Sequence, residues 1–142
     1  MAGLIKEPAG QQSRPLPRLS ERNQEKPLSD IKRYGVTRRW SDAVIHNRTA
    51  YFVEVADDPS EDVRGQVTQI LAQIATRLSL IGSDKMQLLQ VTIFLADLGD
   101  APTLNSIWDE WLPEGHAPAR ACVQCGLAPN YLVEMVVTAA VR

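Results

Sequence analysis

Two charged residues stand alone in the apolar last quarter of the chain. Arg120 lies in Ala117-Pro118-Ala119-Arg120-Ala121-Cys122-Val123 and is followed by six uncharged residues; Glu134 lies among Leu132, Val133, Met135, Val136 and Val137. Both runs read as strands. A lone charge on a buried strand is unfavourable unless it is paired or used. The forked N–H donors of a guanidinium match the two oxygens of a carboxylate. A nearby carboxylate can hold or activate a water. If the two residues meet, the chemistry is hydrolysis of a small anionic metabolite. A plainer arrangement fits the same spacing: the two pair with each other, or one stands in water at a strand end.

Cys122 is two residues from Arg120 and shares its face on a strand. It reads as a pocket-lining thiol or as a small core residue. With Cys125 it forms a C-x-x-C spacing, which invites a metal or redox reading. On a strand, however, positions i and i+3 point to opposite faces, and the chain has no second cysteine pair. No metal is expected.

The elements that must position these residues follow from patterning. The chain has 142 residues, 44% hydrophobic and 23% charged, which suits one ordinary domain with a proper core. The net charge of −2, with dispersed Lys and Arg, gives no general electrostatic case for nucleic acid or an anionic membrane. No aromatic-plus-basic platform is visible, and no segment approaches the ~20 apolar residues a membrane helix needs. The first residues lack the apolar stretch of a secretory signal, so a cytoplasmic, reduced protein is the default expectation. Residues 1–30, with Pro8, Pro15, Pro17 and Pro27, carry few apolar residues and are expected to be a flexible N-terminal extension; residues 31–142 form the folded domain.

In that domain a short strand is predicted over Ile31 to Thr37. A hairpin follows, in which Ala43-Val44-Ile45 and Ala50-Tyr51-Phe52-Val53 flank the turn-like His46-Asn47-Arg48-Thr49. His46 reads as a turn residue, not a ligand. The acidic loop from Asp57 to Asp62 leads into a helix with Val63, Val67, Ile70, Leu71, Ile74 and Leu78 on one stripe and Gly82 as its stop. Leu88 to Leu95 reads as a buried strand. Pro102 opens a second helix carrying Leu104, Ile107, Trp108 and Trp111, whose aromatics read as packing. The Pro113-Glu114-Gly115-His116 stretch breaks it, and two terminal strands follow around Ala128-Pro129-Asn130. His116 reads as a solvated loop residue. The order is β-β-β-α-β-α-β-β: an α+β fold whose two helices cover one face of a mixed sheet. The apolar content of the other face points to an oligomer.

With these elements in place the chain resembles the Rid (YjgF) family of reactive-intermediate deaminases. The resemblance runs over about residues 33–142. It is carried by Trp40-Ser41-Asp42-Ala43, by Ala72-Gln73-Ile74 through Gly82, and by Val91-Thr92-Ile93-Phe94-Leu95-Ala96-Asp97-Leu98. Asn105 with Trp108 and Trp111, Pro118-Ala119-Arg120-Ala121-Cys122-Val123 and Val133-Glu134-Met135 complete it. It implies a chorismate-mutase-like mixed six-stranded sheet with two helices on one face, assembled as a homotrimer with ligand clefts between subunits. It implies hydrolysis of small 2-imino acids or their enamine tautomers, such as 2-aminoacrylate, to 2-keto acids and ammonia, without a cofactor. Arg120 would clamp the substrate carboxylate, Glu134 would position or activate water, and the Cys122 backbone would bond the imine or the water. Trp40 stands where relatives carry a pocket tyrosine, and Asn105 matches their helix asparagine.

One departure stands out. Relatives carry Gly-Gln after the second long strand, whereas this chain has Tyr51-Phe52-Val53-Glu54-Val55-Ala56. Glu54 would repel an anionic substrate if it entered the cleft, or it points away. A second function is therefore implied beside the first: a non-catalytic trimer that binds a small carboxylate metabolite or a partner protein through a pocket altered at Glu54. A ribonuclease activity, also attached to the family, is disfavoured by the net charge.

Overall fold

A computed structural model describes residues 30–142. The expected extension lies, up to residue 29, outside the described residues. The chain order is β1 (Lys32–Tyr34), β2 (Ala43–His46), β3 (Thr49–Val55), α1 (Val63–Leu80), β4 (Leu88–Leu95), α2 (Ala101–Trp111), β5 (Ala119–Gln124) and β6 (Val133–Ala140). The fold is the expected six-stranded mixed sheet with two helices, and the strands lie in the order β1-β2-β3-β6-β4-β5. All neighbours are antiparallel except β4 and β5, which α2 connects as a parallel pair.

Alternation along the central strands defines the two faces. Phe52 on β3, Val91, Ile93 and Leu95 on β4, and Val133, Met135 and Val137 on β6 are buried against Val67, Ile70, Leu71, Ile74 and Leu78 of α1 and Leu104 and Trp108 of α2. The opposite face is apolar and open. Tyr51 and Val53 are each 50% exposed, and Val136, paired with Val53 on one side and Thr92 of β4 on the other, is 37% exposed. The sequence-level stripe on α1 is the core stripe.

Local chemistry fixes the element ends. Asp62 caps α1 by accepting from the Gly65 N–H at 2.9 Å. Beyond Ile81, Gly82 takes φ +79° and Ser83 N–H returns to the Leu78 carbonyl. β1 is shorter than predicted because Gly35 turns the chain at φ +59°, with the Asp42 carboxylate packed where a Cβ would stand. His46 ends β2 rather than sitting in the turn. It pairs with Thr49 across a two-residue turn in which Asn47 and Arg48 both have positive φ, so the hairpin is tighter than predicted. In the loop before α1, the Ser60 hydroxyl and then its backbone N–H hold the Asp58 carboxyl below the usual carboxylate range.

One buried polar residue joins two loops. Gln66 is fully buried on the α1 stripe; its amide shares N–H donors among the carbonyls of Pro59, Glu61 and Asn130, and its oxygen accepts from Leu132 N–H at 2.9 Å. These bonds tie the loop before α1 to the loop before β6. Gln66→Leu strands an amide N–H and three carbonyls away from their partner. Denaturant unfolding should show a loss of about 3 kcal/mol or more, as unsatisfied buried groups cost about 1–3 kcal/mol each; a loss under about 1 kcal/mol would contradict the clip.

Candidate active site

The structure gathers the predicted residues into two groups. The first lies where α2 crosses β5. β5 has one strand neighbour and is an exposed edge rather than a buried strand, so Arg120 reaches solvent. Arg120 stands opposite Val91, on the helix side of the sheet. There its Nη2 donates to Asn105 Oδ1 at 2.8 Å, and its Cζ lies 5.3 Å from the centroid of the Trp108 ring. Asn105 and Trp108 are three residues apart on α2 and share one helix face. Cys122 stands opposite Ile93 on the same side as Arg120 and packs against the core. Cys122 and Cys125 are both free thiols.

Glu134 anchors the second group. It stands opposite Val55 on β3 and Phe94 on β4, half-buried in the open face. Among the described residues its carboxylate has no side-chain hydrogen bond or ion pair. It lines a cleft of about 590 Å³ with Trp40, Ser41, Asp42, Val53 and Val55, and the Glu54–Arg77 pair and Asp57 line the same cleft from the helix side. A second hollow of about 350 Å³ lies on its other flank, against Gly126, Ala128 and Tyr131. Trp40 is 62% exposed, but its backbone is fixed: its N–H donates to Thr37 Oγ1 at 3.1 Å, and its carbonyl accepts from Thr37 N–H at 2.7 Å. These bonds fix the backbone from which the Trp40 side chain reaches the cleft lining.

Within one chain the two groups do not converge. Residues 91 and 94 of β4 point to opposite faces, so Arg120, level with Val91, and Glu134, level with Phe94, lie on opposite sides of the sheet. The plainer arrangement, an intrachain pair between them, is absent.

Glu54 is placed by the same alternation. It faces the helices opposite Met135 and is 6% exposed. Its Oε1 accepts from Arg77 Nε at 2.7 Å and its Oε2 from Gln73 Nε2 at 3.0 Å. Gln73 also donates to Val55 O and accepts from Asp57 N–H. Glu54 thus lines the same cleft as Glu134 from the helix side, with both oxygens occupied and its charge offset by Arg77. Gln66 and Arg77 are site-shaping residues that the sequence reading does not single out, Gln73 enters it only through the family resemblance, and Trp108, read as packing, also stacks on Arg120. For Gln66 a signal existed: it lies four residues before Ile70, on the buried stripe.

A six-stranded mixed sheet backed by two helices, with an arginine on its parallel edge strand and a lone carboxylate in its open face, defines the class of YjgF-fold proteins. The chain belongs to the Rid (YjgF) family, whose profile, described as Endoribonuclease L-PSP, matches residues 31–141. It is similar to the RutC family protein YoaB of Escherichia coli, 46% identical over 112 residues, covering 78% of this chain and 98% of that one. A RutC family protein of Haemophilus ducreyi is 41% identical over 114 residues, 79% of this chain and 97% of its own. Among solved structures, a protein of Pseudomonas aeruginosa superposes with a TM-score of 0.77 at 44% identity, covering 80% of this chain and 100% of that one. A YjgF family member from Neisseria meningitidis gives 0.76 at 40% identity, covering 80% and 96%. No helix among the described residues is long and apolar enough to cross a membrane.

The Glu54–Arg77 pair, with side chains 7% and 27% exposed, makes a stability prediction. Removing either partner leaves a poorly solvated charge and should cost about 3 kcal/mol. Glu54→Ala with Arg77→Ala together should cost clearly less than the sum of the single losses. Unfolding curves for the four proteins decide it; strict additivity would mean that the pair is not coupled.

Proposed function

We propose that the protein is a hydrolytic deaminase of small 2-imino and enamine acids of the 2-aminoacrylate type, acting at clefts between copies in a homotrimer. One observation carries the reading: the chain holds a cation with free donors and a lone carboxylate on opposite sides of one sheet. Neither has an intrachain partner of opposite charge among the described residues. A heterologous contact brings the Arg120 side of one copy to the open face of the next and completes the site. The half-exposed apolar rows around Glu134 suit burial in such a contact.

In the joined cleft Arg120 clamps the substrate carboxylate through its free N–H groups. Asn105 holds the guanidinium, and the backbone at Cys122 bonds the imine nitrogen or the water. Glu134 takes a proton from water as the oxygen adds to C2 of the imine. The imine nitrogen takes that proton from Glu134 to give the carbinolamine; Glu134 then passes the hydroxyl proton to the same nitrogen, the C2–N bond breaks, ammonia leaves and C2=O forms. An enamine first takes a proton at C3 to become the imine. Trp40 closes the mouth of the cleft. Orienting an electrophilic imine against a held water lowers the barrier by several kcal/mol through proximity alone, within the ~7–11 kcal/mol that orientation can supply. No cofactor enters these steps. Residues 31–142 form the working unit, and the reading places it in the cytoplasm.

The Glu54–Arg77 pair offsets the charge that Glu54 brings to the cleft wall, so the site stays compatible with an anionic ligand, whether turned over or only bound.

Arg120→Ala and Glu134→Ala should each lower 2-aminoacrylate and iminopropionate hydrolysis by at least about a hundredfold, as expected for a lost clamp or base. Mixing the two inactive variants and allowing subunits to reassort should restore about one quarter of wild-type turnover, because random assortment across a heterologous interface pairs both native residues in that share of clefts. No recovery in mixed assemblies would place both residues outside a shared cleft. Unaltered turnover in Arg120→Ala would overturn the deaminase reading.

A further inference from the structure

Arg120 sits at one end of a line in which two neighbouring indole rings are flanked by two cations. Its guanidinium carbon is 5.3 Å from the centroid of the Trp108 ring. The Trp108 and Trp111 rings are 5.8 Å apart and inclined by 45°. Lys85 Nζ lies 5.0 Å over the Trp111 ring and is fixed there by donating to the Trp111 carbonyl oxygen at 2.9 Å. Trp108 is only 5% exposed and packs in the core, so its ring has no room to move aside.

This geometry has a chemical consequence for the clamp. A long, solvent-facing arginine samples many rotamers and must be ordered when an anion binds. The face of an indole attracts a guanidinium electrostatically without using any of its hydrogen-bond donors. Asn105 uses a donor on Nη2 alone, leaving most of the five N–H groups for a ligand. Ring and amide together restrain position and direction while keeping the fork open.

We propose that Trp108 is the positioning residue of the carboxylate clamp: it presets the Arg120 guanidinium for a planar carboxylate, and Trp111 with Lys85 holds the Trp108 ring in place. The inference rests on the reading of Arg120 as the clamp. Trp108 touches no substrate, so its contribution falls on binding of the carboxylate end and not on the bond-making step. Loss of the ring's electrostatic face raises KM and the Kd for a 2-keto acid together and leaves kcat unchanged.

The test replaces Trp108, by codon suppression in the full-length assembled protein, with tryptophans of increasing fluorination. These keep the shape of the indole while draining its negative face. Pyruvate affinity is measured by calorimetry and 2-aminoacrylate turnover in parallel. Kd and KM should climb together along the series, to about 2- to 30-fold at the most fluorinated ring, the span of an exposed to desolvated cation–π contact. A flat series overturns the proposal. Trp108→Leu should weaken pyruvate binding in the Arg120 background and have no further effect in Arg120→Ala; an equal effect in both backgrounds means a merely structural role and overturns it. A wild-type protein that binds no pyruvate and turns over no imine sinks the deaminase reading instead. Positioning is then decided by the Arg120 Nε–H proton resonance. An upfield ring-current shift lost in Trp108→Leu supports it, and an ordinary random-coil position overturns it.

Discussion

β4 runs between β6 and β5, antiparallel to one and parallel to the other, and its register fixes the position of both lone charges. Val91 is level with Arg120 and Phe94 with Glu134. Because strand side chains alternate, a separation of three residues on β4 sends the two charges to opposite faces. A one-residue slip of either strand would bring the charges to one side, but it would also turn that strand's buried set out into water. For β6 that set is Val133, Met135, Val137 and Ala139, all essentially without exposure. The apolar core thus enforces the separation of the two charges.

α2 has two roles under this constraint. It is the connection that makes β4 and β5 parallel, and its length and Pro102 start suit a crossover packed on the sheet. The same helix places Asn105 and Trp108 beside the edge strand it has just created. An edge strand is a liability when flat and apolar. Here β5 carries Arg120 and is shielded on the helix side by Trp108, so the edge carries a charge and the charge is held in place.

Much of this was legible in the sequence because it depends on periodicity. The α1 stripe from Val67 to Leu78, the buried β4 run and the terminal pair of strands all emerged from spacing, and the family resemblance supplied their assembly into one sheet. The two facts that decide the site depend instead on strand register, which spacing within one segment does not encode. Glu54 could have faced either side; only its pairing opposite Met135 turns it towards α1, where Arg77 and Gln73 wait more than a turn apart in helix positions that read as solvent-facing. Arg120 read as a charge on a buried strand because its neighbours are apolar, yet β5 lies at the end of the sheet and is covered by one helix only. Composition cannot tell an edge strand from an inner one when the apolar residues of the edge have an external use.

That external use is the remaining step. A lone carboxylate such as Glu134 is tolerable in a half-open apolar face while water reaches it. Covering the face with another protein surface would strand it, and an uncompensated buried charge would oppose the apolar gain from rows such as Tyr51, Val53 and Val136. On the proposed assembly, Arg120 of a second copy, exposed on the opposite side and held by Asn105 and Trp108, would supply the missing cation. The gap left between cation and carboxylate is then a small polar space inside an apolar contact. On the proposed reading assembly and catalysis would draw on the same pair of residues, and the site would be complete only where two copies meet.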